Sequence, residues 1–229
     1  MRCVLPWLDR WAAKKPDAAA FEGEKTCLTW RQLHDAAKRI GTYLARQLPP
    51  RVPVALCMDK SPMTVAAMLG VLEAGCFYTI IDVQMPQQRV QLILDALHPA
   101  LLLTDAGKAP IWADAAGKLP CVSTEAAASC DIDESLLAAR QRDIIDTDLQ
   151  YVLFTSGSTG IPRALRFAIA RCWISWNGQS LRCGSMKPHV SAIRRRCIST
   201  TRCWIFSARS KAAHTSTSCP RGTSCSRHG

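Results

Sequence analysis

The sequence predicts an α/β fold, a mostly parallel sheet flanked by helices, followed by a disordered or irregular basic tail. Three observations predict it. Short apolar runs alternate with segments of helical apolar spacing as far as Thr104. The runs are apolar at nearly every position, which suits strands covered by helices on both faces. The charge then changes character: residues 1–163 hold 17 Lys and Arg against 18 Asp and Glu, whereas residues 164–229 hold 12 basic residues and no acid.

Leu5 to Lys15 reads as a short helix closed by Pro16, and Cys27 to Trp30 as a short strand. A longer amphipathic helix follows from Arg31 to about Leu48, because Leu33, Ala37, Ile40, Leu44 and Leu48 recur at three-to-four spacing. Val52 to Met58 is a buried strand. Ser61-Pro62 then opens a helix, the serine accepting a backbone N–H and the proline already holding a helical φ. That helix runs to Glu73 or Ala74 and closes at Gly75, where a left-handed residue is expected. Phe77 to Ile81 is the next strand, Pro86 opens a helix carrying Val90, Ile93, Leu94 and Leu97, Pro99 ends it, and Leu101 to Thr104 is a further strand. Residues 105–148 read as loops, with a strand near Cys121 and a short helix around Ser135 to Arg140. Tyr151 onward is an apolar β-like run.

A length of 229 residues allows one or two domains. We divide the chain into a domain over 1–163 and a tail over 164–229. In the tail Leu, Ile, Val and Phe make up only about 15% of residues, too few for a packed core at that charge. The N-terminus MRCVLPWLDRW interrupts any apolar signal core with a proline and charges, and no run reaches the roughly 18 apolar residues of a membrane span. A cytoplasmic location without membrane association is the expectation. The 12 cysteines form no C-x-x-C pair, so Cys27, Cys57, Cys76 and Cys121 read as small hydrophobes.

The chemistry concentrates in YVLFTSGSTGIPR, Tyr151 to Arg163. Gly157 and Gly160 allow positive φ and close backbone approach, while Thr155, Ser156, Ser158 and Thr159 add hydroxyls to a row of N–H groups, a nest suited to phosphate oxygens. It lacks the G-K-[ST] ending of a Walker loop and the G-x-G-x-x-G dinucleotide pattern. A Ser/Gly-rich turn alone is equally compatible with a flexible hairpin.

The longer string FTSGSTGIPRA resembles the phosphate-binding loop of the adenylate-forming (AMP-binding) superfamily, TSGST-G-x-P-K-G. Two further segments agree in order and spacing: LTWRQL at Leu28 to Leu33 is similar to the family's L-T-Y-x-E-L, and VLEAGCFYTIIDVQMPQQR at Val71 to Arg89 to its L-K-A-G-x-x-Y-V-P-I-D-x-x-x-P-x-x-R. The details lean toward nonribosomal peptide synthetase adenylation domains and D-alanyl carrier protein ligases. The resemblance implies an incomplete N-terminal portion of the adenylate-forming fold. It also implies a parent enzyme that uses ATP and Mg²⁺ to convert a carboxylic or amino acid to an adenylate, and then passes it to a phosphopantetheinyl carrier protein. By that resemblance Thr155, Ser156, Gly157, Ser158, Thr159, Gly160 and Arg163 bind the nucleotide. Arg163 replaces the family's Lys and Ala164 its Gly, which keeps the charge and changes its reach. No catalytic or metal-binding residue is assigned. The family's substrate pocket, its Mg²⁺-binding Glu, its ribose-binding Asp and its catalytic Lys have no counterpart in residues 164–229, so the chain as written is expected to be catalytically incompetent.

The tail reads best as a shifted frame. Joining the third base of each codon to the first two of the next turns Cys172 to Gly178 into a segment in which Leu, Asp and Glu are forced. The same shift over Ser199 to Ser207 permits a segment similar to the F-D-x-S that follows the family's loop. A frameshift near Arg163 to Phe167 accounts for both. Two alternatives remain open: a nucleic-acid-binding protein acting through Arg194-Arg195-Arg196 and the tail tryptophans, and a pseudogene product without function. A zinc site from Cys183, His189, Cys197 and Cys203 is disfavoured by its spacing.

Overall fold

The structure, a computed structural model, describes residues 4–24, 26–108, 119–155 and 162–172. Helix α1 (Leu5–Lys14) precedes a two-stranded antiparallel ribbon, β1 (Ala19–Glu22) and β2 (Cys27–Thr29). Next come α2 (Trp30–Gln47), β3 (Pro53–Cys57), α3 (Pro62–Glu73), β4 (Phe77–Ile81), α4 (Gln87–Leu97) and β5 (Leu101–Thr104). The remaining elements are β6 (Cys121–Ser123), α5 (Thr124–Ala128), α6 (Glu134–Arg142), β7 (Leu149–Thr155) and β8 (Arg163–Ala168).

Six strands form one sheet in the order β6-β5-β3-β4-β7-β8, parallel except for the antiparallel β7–β8 hairpin at one edge. Strand β3 sits centrally, and its alternate residues enter two different cores. Val54 and Leu56 pack with α2 and α3, Ala55 and Cys57 with Val90, Ile93 and Leu94 of α4. Helices on both faces explain why these strands are apolar throughout.

Local chemistry sets the element ends. Thr29 accepts from the Gln32 backbone N–H while the Gln32 side chain accepts from the Thr29 N–H, a reciprocal capping box that starts α2 at Trp30 and thereby ends the β2 strand one residue earlier than expected. Ser61 accepts from Thr64 N–H at the start of α3. Gly75 closes that helix at φ 73°. Helix α3 is buried nearly all round, held between the sheet, α2 and α6.

Further features differ from expectation: of the cysteines read as small hydrophobes, Cys57 and Cys76 are buried but Cys27 is exposed. Strand β1 has no forecast. Residues 124–128, expected as loop, form α5, because Ser123 caps the Ala126 N–H and the alanines that follow favour a helix. Regular structure also continues past residue 163: β8 pairs with β7 through Ala168, and Ile169 and Cys172 are buried. The tail beyond Cys172 lies outside the described residues. Among the described residues no helix is long and apolar enough to cross a membrane.

Among the described residues three buried side-chain oxygens, Tyr78 Oη, Thr104 Oγ1 and Gln141 Oε1, are left without a hydrogen-bond partner. Tyr78 is 1% exposed and stacks on Tyr151 at 5.8 Å, yet its hydroxyl makes no hydrogen bond. An unsatisfied buried hydroxyl costs about 1–3 kcal/mol. Tyr78→Phe is therefore expected to raise the thermal midpoint by about 2–4 °C, the shift of roughly 1 kcal/mol at this size. A lower midpoint in a melting experiment would refute this.

Candidate phosphate-loop site at the carboxyl edge of the sheet

The parallel strands all deliver their C-terminal ends to one edge of the sheet, where Asp59, Asp82, Asp105 and Thr155 follow or close β3, β4, β5 and β7. The chain moves from β3 to β4 on one side and then to β5 on the other, so the strand order reverses at β3. In open α/β sheets ligands bind beyond the carboxyl ends at such a reversal. The strand carrying the Ser/Thr/Gly segment, β7, lies next to β4 on that edge.

The β7–β8 hairpin fixes where the loop leaves and returns. Thr155 and Arg163 are direct partners in the antiparallel register, and Thr155 Oγ1 donates to the Arg163 carbonyl at 3.5 Å. Period-two alternation groups the pairs Tyr151–Phe167, Leu153–Leu165 and Thr155–Arg163 on the face toward α2 and α3. Phe154 points to the opposite core with α4. A continuous stack supports the first face: Tyr78 on Tyr151 at 5.8 Å, and Tyr151 on Phe167 at 4.6 Å with 17° between rings. Thr79 Oγ1 also donates to the Val152 carbonyl at 2.6 Å, tying β7 to β4 beneath the loop.

Of the seven residues expected to hold nucleotide, the structure therefore brings Thr155 and Arg163 together at the loop's base. Ser156, Gly157, Ser158, Thr159 and Gly160 lie outside the described residues. Arg163 is exposed, and no described carboxylate lies within ion-pair distance of it.

The two other boxes that carry the family resemblance have building roles. Thr29 and Gln32 are the capping box of α2. In the second, Gly75 supplies the left-handed turn after α3, Asp82 Oδ1 accepts from Gln84 N–H at 2.9 Å after β4, and the Pro86 carbonyl accepts from Arg89 and Val90 N–H to start α4.

The remaining acids at this edge are committed locally. Asp105 Oδ2 accepts from the Asp59 N–H at 2.7 Å, and the Asp59 carbonyl accepts from Thr64 Oγ1 at 2.5 Å. Among the described residues no group of three His, Cys, Asp or Glu side chains is placed to hold a metal ion. The sequence reading passed over one titratable residue far from this edge. Glu73, at the end of α3, is 4% exposed, and burial pushes its carboxyl up to about 7. A lone acid ending the apolar run PMTVAAMLGVLE was the available signal.

The AMP-binding enzyme family matches residues 8–166. Tyrocidine synthase 3 of Brevibacillus parabrevis is 36% identical over 154 residues, which is 66% of this chain and 2% of that protein. Among solved structures, VinN in complex with 3-methylaspartate superposes with a TM-score of 0.67 at 19% identity, covering 80% of this chain and 52% of that one. The Klebsiella oxytoca NpsA N-terminal subdomain in complex with 3-hydroxybenzoyl-AMSN superposes with a TM-score of 0.62 at 20% identity, covering 74% of this chain and 41% of that one. The solved structures are alike in fold, and the chain spans only a few per cent of the length of the curated relatives it matches. With the match running across most of the sequence, including all three boxes, the chain belongs to the AMP-binding enzyme family.

Proposed function

We propose that this chain is the phosphate-binding N-terminal part of an ATP-dependent acid-activating ligase, most similar in design to the adenylation domains of nonribosomal peptide synthetases. The observation that carries the reading is the β7–β8 hairpin, which sets Thr155 beside Arg163 at the carboxyl edge of the sheet, where the Ser/Thr/Gly segment leaves and returns and no described carboxylate pairs with Arg163. Hydroxyls, backbone N–H groups and a cation are the donor set a polyphosphate anion needs. ATP, when bound, supplies the α-phosphorus that the substrate carboxylate attacks and the pyrophosphate that leaves.

This chain's own residues bind and orient. Loop hydroxyls and N–H groups hold phosphate oxygens, and Arg163 offsets their charge at the end of a hairpin that carries the aromatic stack of Tyr78, Tyr151 and Phe167. The described residues assign no ligand to Mg²⁺. In the whole enzyme the substrate is an amino acid or related carboxylic acid and the acceptor a carrier-protein phosphopantetheine thiol; D-alanyl carrier protein ligases are the neighbouring possibility. The acid-free composition of residues 164–229 supports a frameshift near Arg163 to Phe167, and as written the chain lacks the residues that complete adenylate formation.

Sequencing the coding DNA from the Asp148 codon onward tests the frame. One missing or inserted base that restores an acid-containing continuation supports the reading; an unchanged frame removes it and leaves the basic tail, through nucleic acid, as the part to assay. On the restored protein, amino-acid-dependent exchange of pyrophosphate into ATP is expected. Arg163→Ala should raise the KM for ATP about tenfold, the weight of one charge-assisted contact of roughly 1.4 kcal/mol, with Arg163→Lys retaining most affinity. Equal KM values for wild type and Arg163→Ala would sink the role given to Arg163.

A further inference from the structure

Away from the phosphate loop, four helices meet around a buried carboxyl. Glu73 ends α3 at the point where that helix crosses α2, packed so closely that a Cβ added at Gly41 would stand 2.5 Å from its own Cβ. The charged groups acting on it are Asp9 of α1, His34 and Lys38 of α2, and Glu134 of α6. Both cations are already engaged. His34 Nε2 lies 3.4 Å from Asp9 Oδ1 and its Nδ1 3.0 Å from Asp35 Oδ1, while Lys38 Nζ donates to both Glu134 oxygens at 2.8 and 2.9 Å. No described cation lies within ion-pair distance of Glu73. An ionised Glu73 would bring four carboxylates to two cations in a site with little water.

We propose that Glu73 is a proton-operated latch: protonated, it leaves His34 to hold α1 through Asp9 and Lys38 to hold α6 through Glu134; ionised, it competes for the same two cations and loosens both helices. The design needs the burial that is seen. A solvated carboxylate at this position would titrate outside the neutral range and would have no need of a partner. Burial first, and then the field of Asp9, hold the Glu73 proton to about pH 7, and the hydrogen bond that His34 donates to Asp9 raises His34 as well. Gln141 of α6 also donates to the Glu73 backbone carbonyl at 3.0 Å, so a shift at the end of α3 reaches α6 directly. This inference goes beyond the adenylation reading and stands or falls independently of it.

Hydrogen exchange read by mass spectrometry on the full 229-residue chain tests the latch at pH 5.5 and pH 8, after correction for intrinsic rates. Residues 5–14 and 134–142 are expected to lose about tenfold in protection at pH 8, the equivalent of one unit of linkage, while β3 and β4 keep theirs. Glu73→Gln, which mimics the protonated form, should hold the protection of residues 134–142 at both pH values, and residues 5–14 should keep only the smaller loss that follows deprotonation of His34. Glu134→Gln should abolish the pH step in α6, because the bond that Glu73 competes for is already gone. Equal protection of wild type at the two pH values overturns the latch, as does a Glu73→Gln variant that repeats the wild-type loss. Protection lost equally from β3 and β4 would also overturn it, and so would a pH step in α6 that survives Glu134→Gln.

Discussion

Gly70→Ala is expected to destabilise the fold by about 2 kcal/mol and to lower the thermal midpoint by about 4–8 °C. A methyl group at this position would stand 2.7 Å from Ile40 Cγ2, 2.8 Å from Ile40 Cβ and 3.0 Å from the Ala37 carbonyl. Two of those three atoms belong to the backbone or are fixed directly to it, so no rotamer change relieves the contact. Helices α2 and α3 would have to separate, and α3 is wedged between α2 and the sheet. Alanine's better helix propensity returns up to about 1 kcal/mol, which limits the loss without reversing it. Gly107→Ala is the control: a Cβ there meets nothing within 4 Å, and its effect should stay within about 0.5 kcal/mol. Urea or thermal unfolding of the two variants decides the matter, and a Gly70→Ala protein as stable as wild type would show that the crossing is looser than drawn.

The sequence displayed the alternation of strands and helices because the devices that set it are local. Ser61-Pro62, Gly75, Pro86 and Pro99 punctuate the chain where α3 and α4 begin and end, and strands β4 and β5 fall at the residues expected. What was hidden depends on tertiary contact. Strand β1 is four residues long and takes its form from pairing with β2. Helix α5 has only five residues, mostly alanine, and its Thr124 hydroxyl is fixed by donating to the Thr104 carbonyl at 2.8 Å. No periodicity can be seen over so short a span. The composition break after Arg163 was legible as charge, but the hairpin continues across it to Ala168, because Tyr151 offers Phe167 a face on which to stack.

For the candidate site, the sequence named the loop residues and their donor chemistry, and the structure adds their setting. Thr155 and Arg163 are eight residues apart in sequence and register partners in space, a relation that only the antiparallel turn creates. That Arg163 has no described carboxylate beside it follows from the position of β8 at the sheet edge, where residues 163–166 are exposed on both faces and Leu165 is 46% accessible. For Glu73 the sequence offered only a weak signal, a lone acid ending an apolar run. That its side chain turns inward between the helices instead of toward solvent is decided by packing that PMTVAAMLGVLE alone does not display.

Stability is expected to be greatest near pH 5 and to fall by about 3 kcal/mol by pH 8. Glu73 in the folded chain titrates at about 7 against an ordinary value of 4.5, and each unit corresponds to roughly 1.36 kcal/mol. Because the folded value is the higher, the native state binds the proton more tightly than the unfolded chain. The contribution is complete below pH 4.5, declines between there and 7, and is gone above it. His34 is also raised, chiefly by its hydrogen bond to Asp9, so its contribution has the same sign and is lost as pH climbs above 6.5 through its folded value. Asp133 and Asp148 are lowered in the fold and act oppositely, but their stabilisation is in place once pH exceeds the ordinary Asp value of 3.8. The raised thiols of Cys76 and Cys172 begin from an ordinary value of 9.0, above this range. The window from pH 5 to 8 therefore isolates Glu73 and His34. Urea midpoints across that window should decline steadily in wild type, and in Glu73→Gln only the shallower His34 part above pH 6.5 should remain. A wild-type midpoint that rises toward pH 8 would mean that the Glu73 carboxylate finds a cation when it ionises, and that its burial does not penalise the charged form.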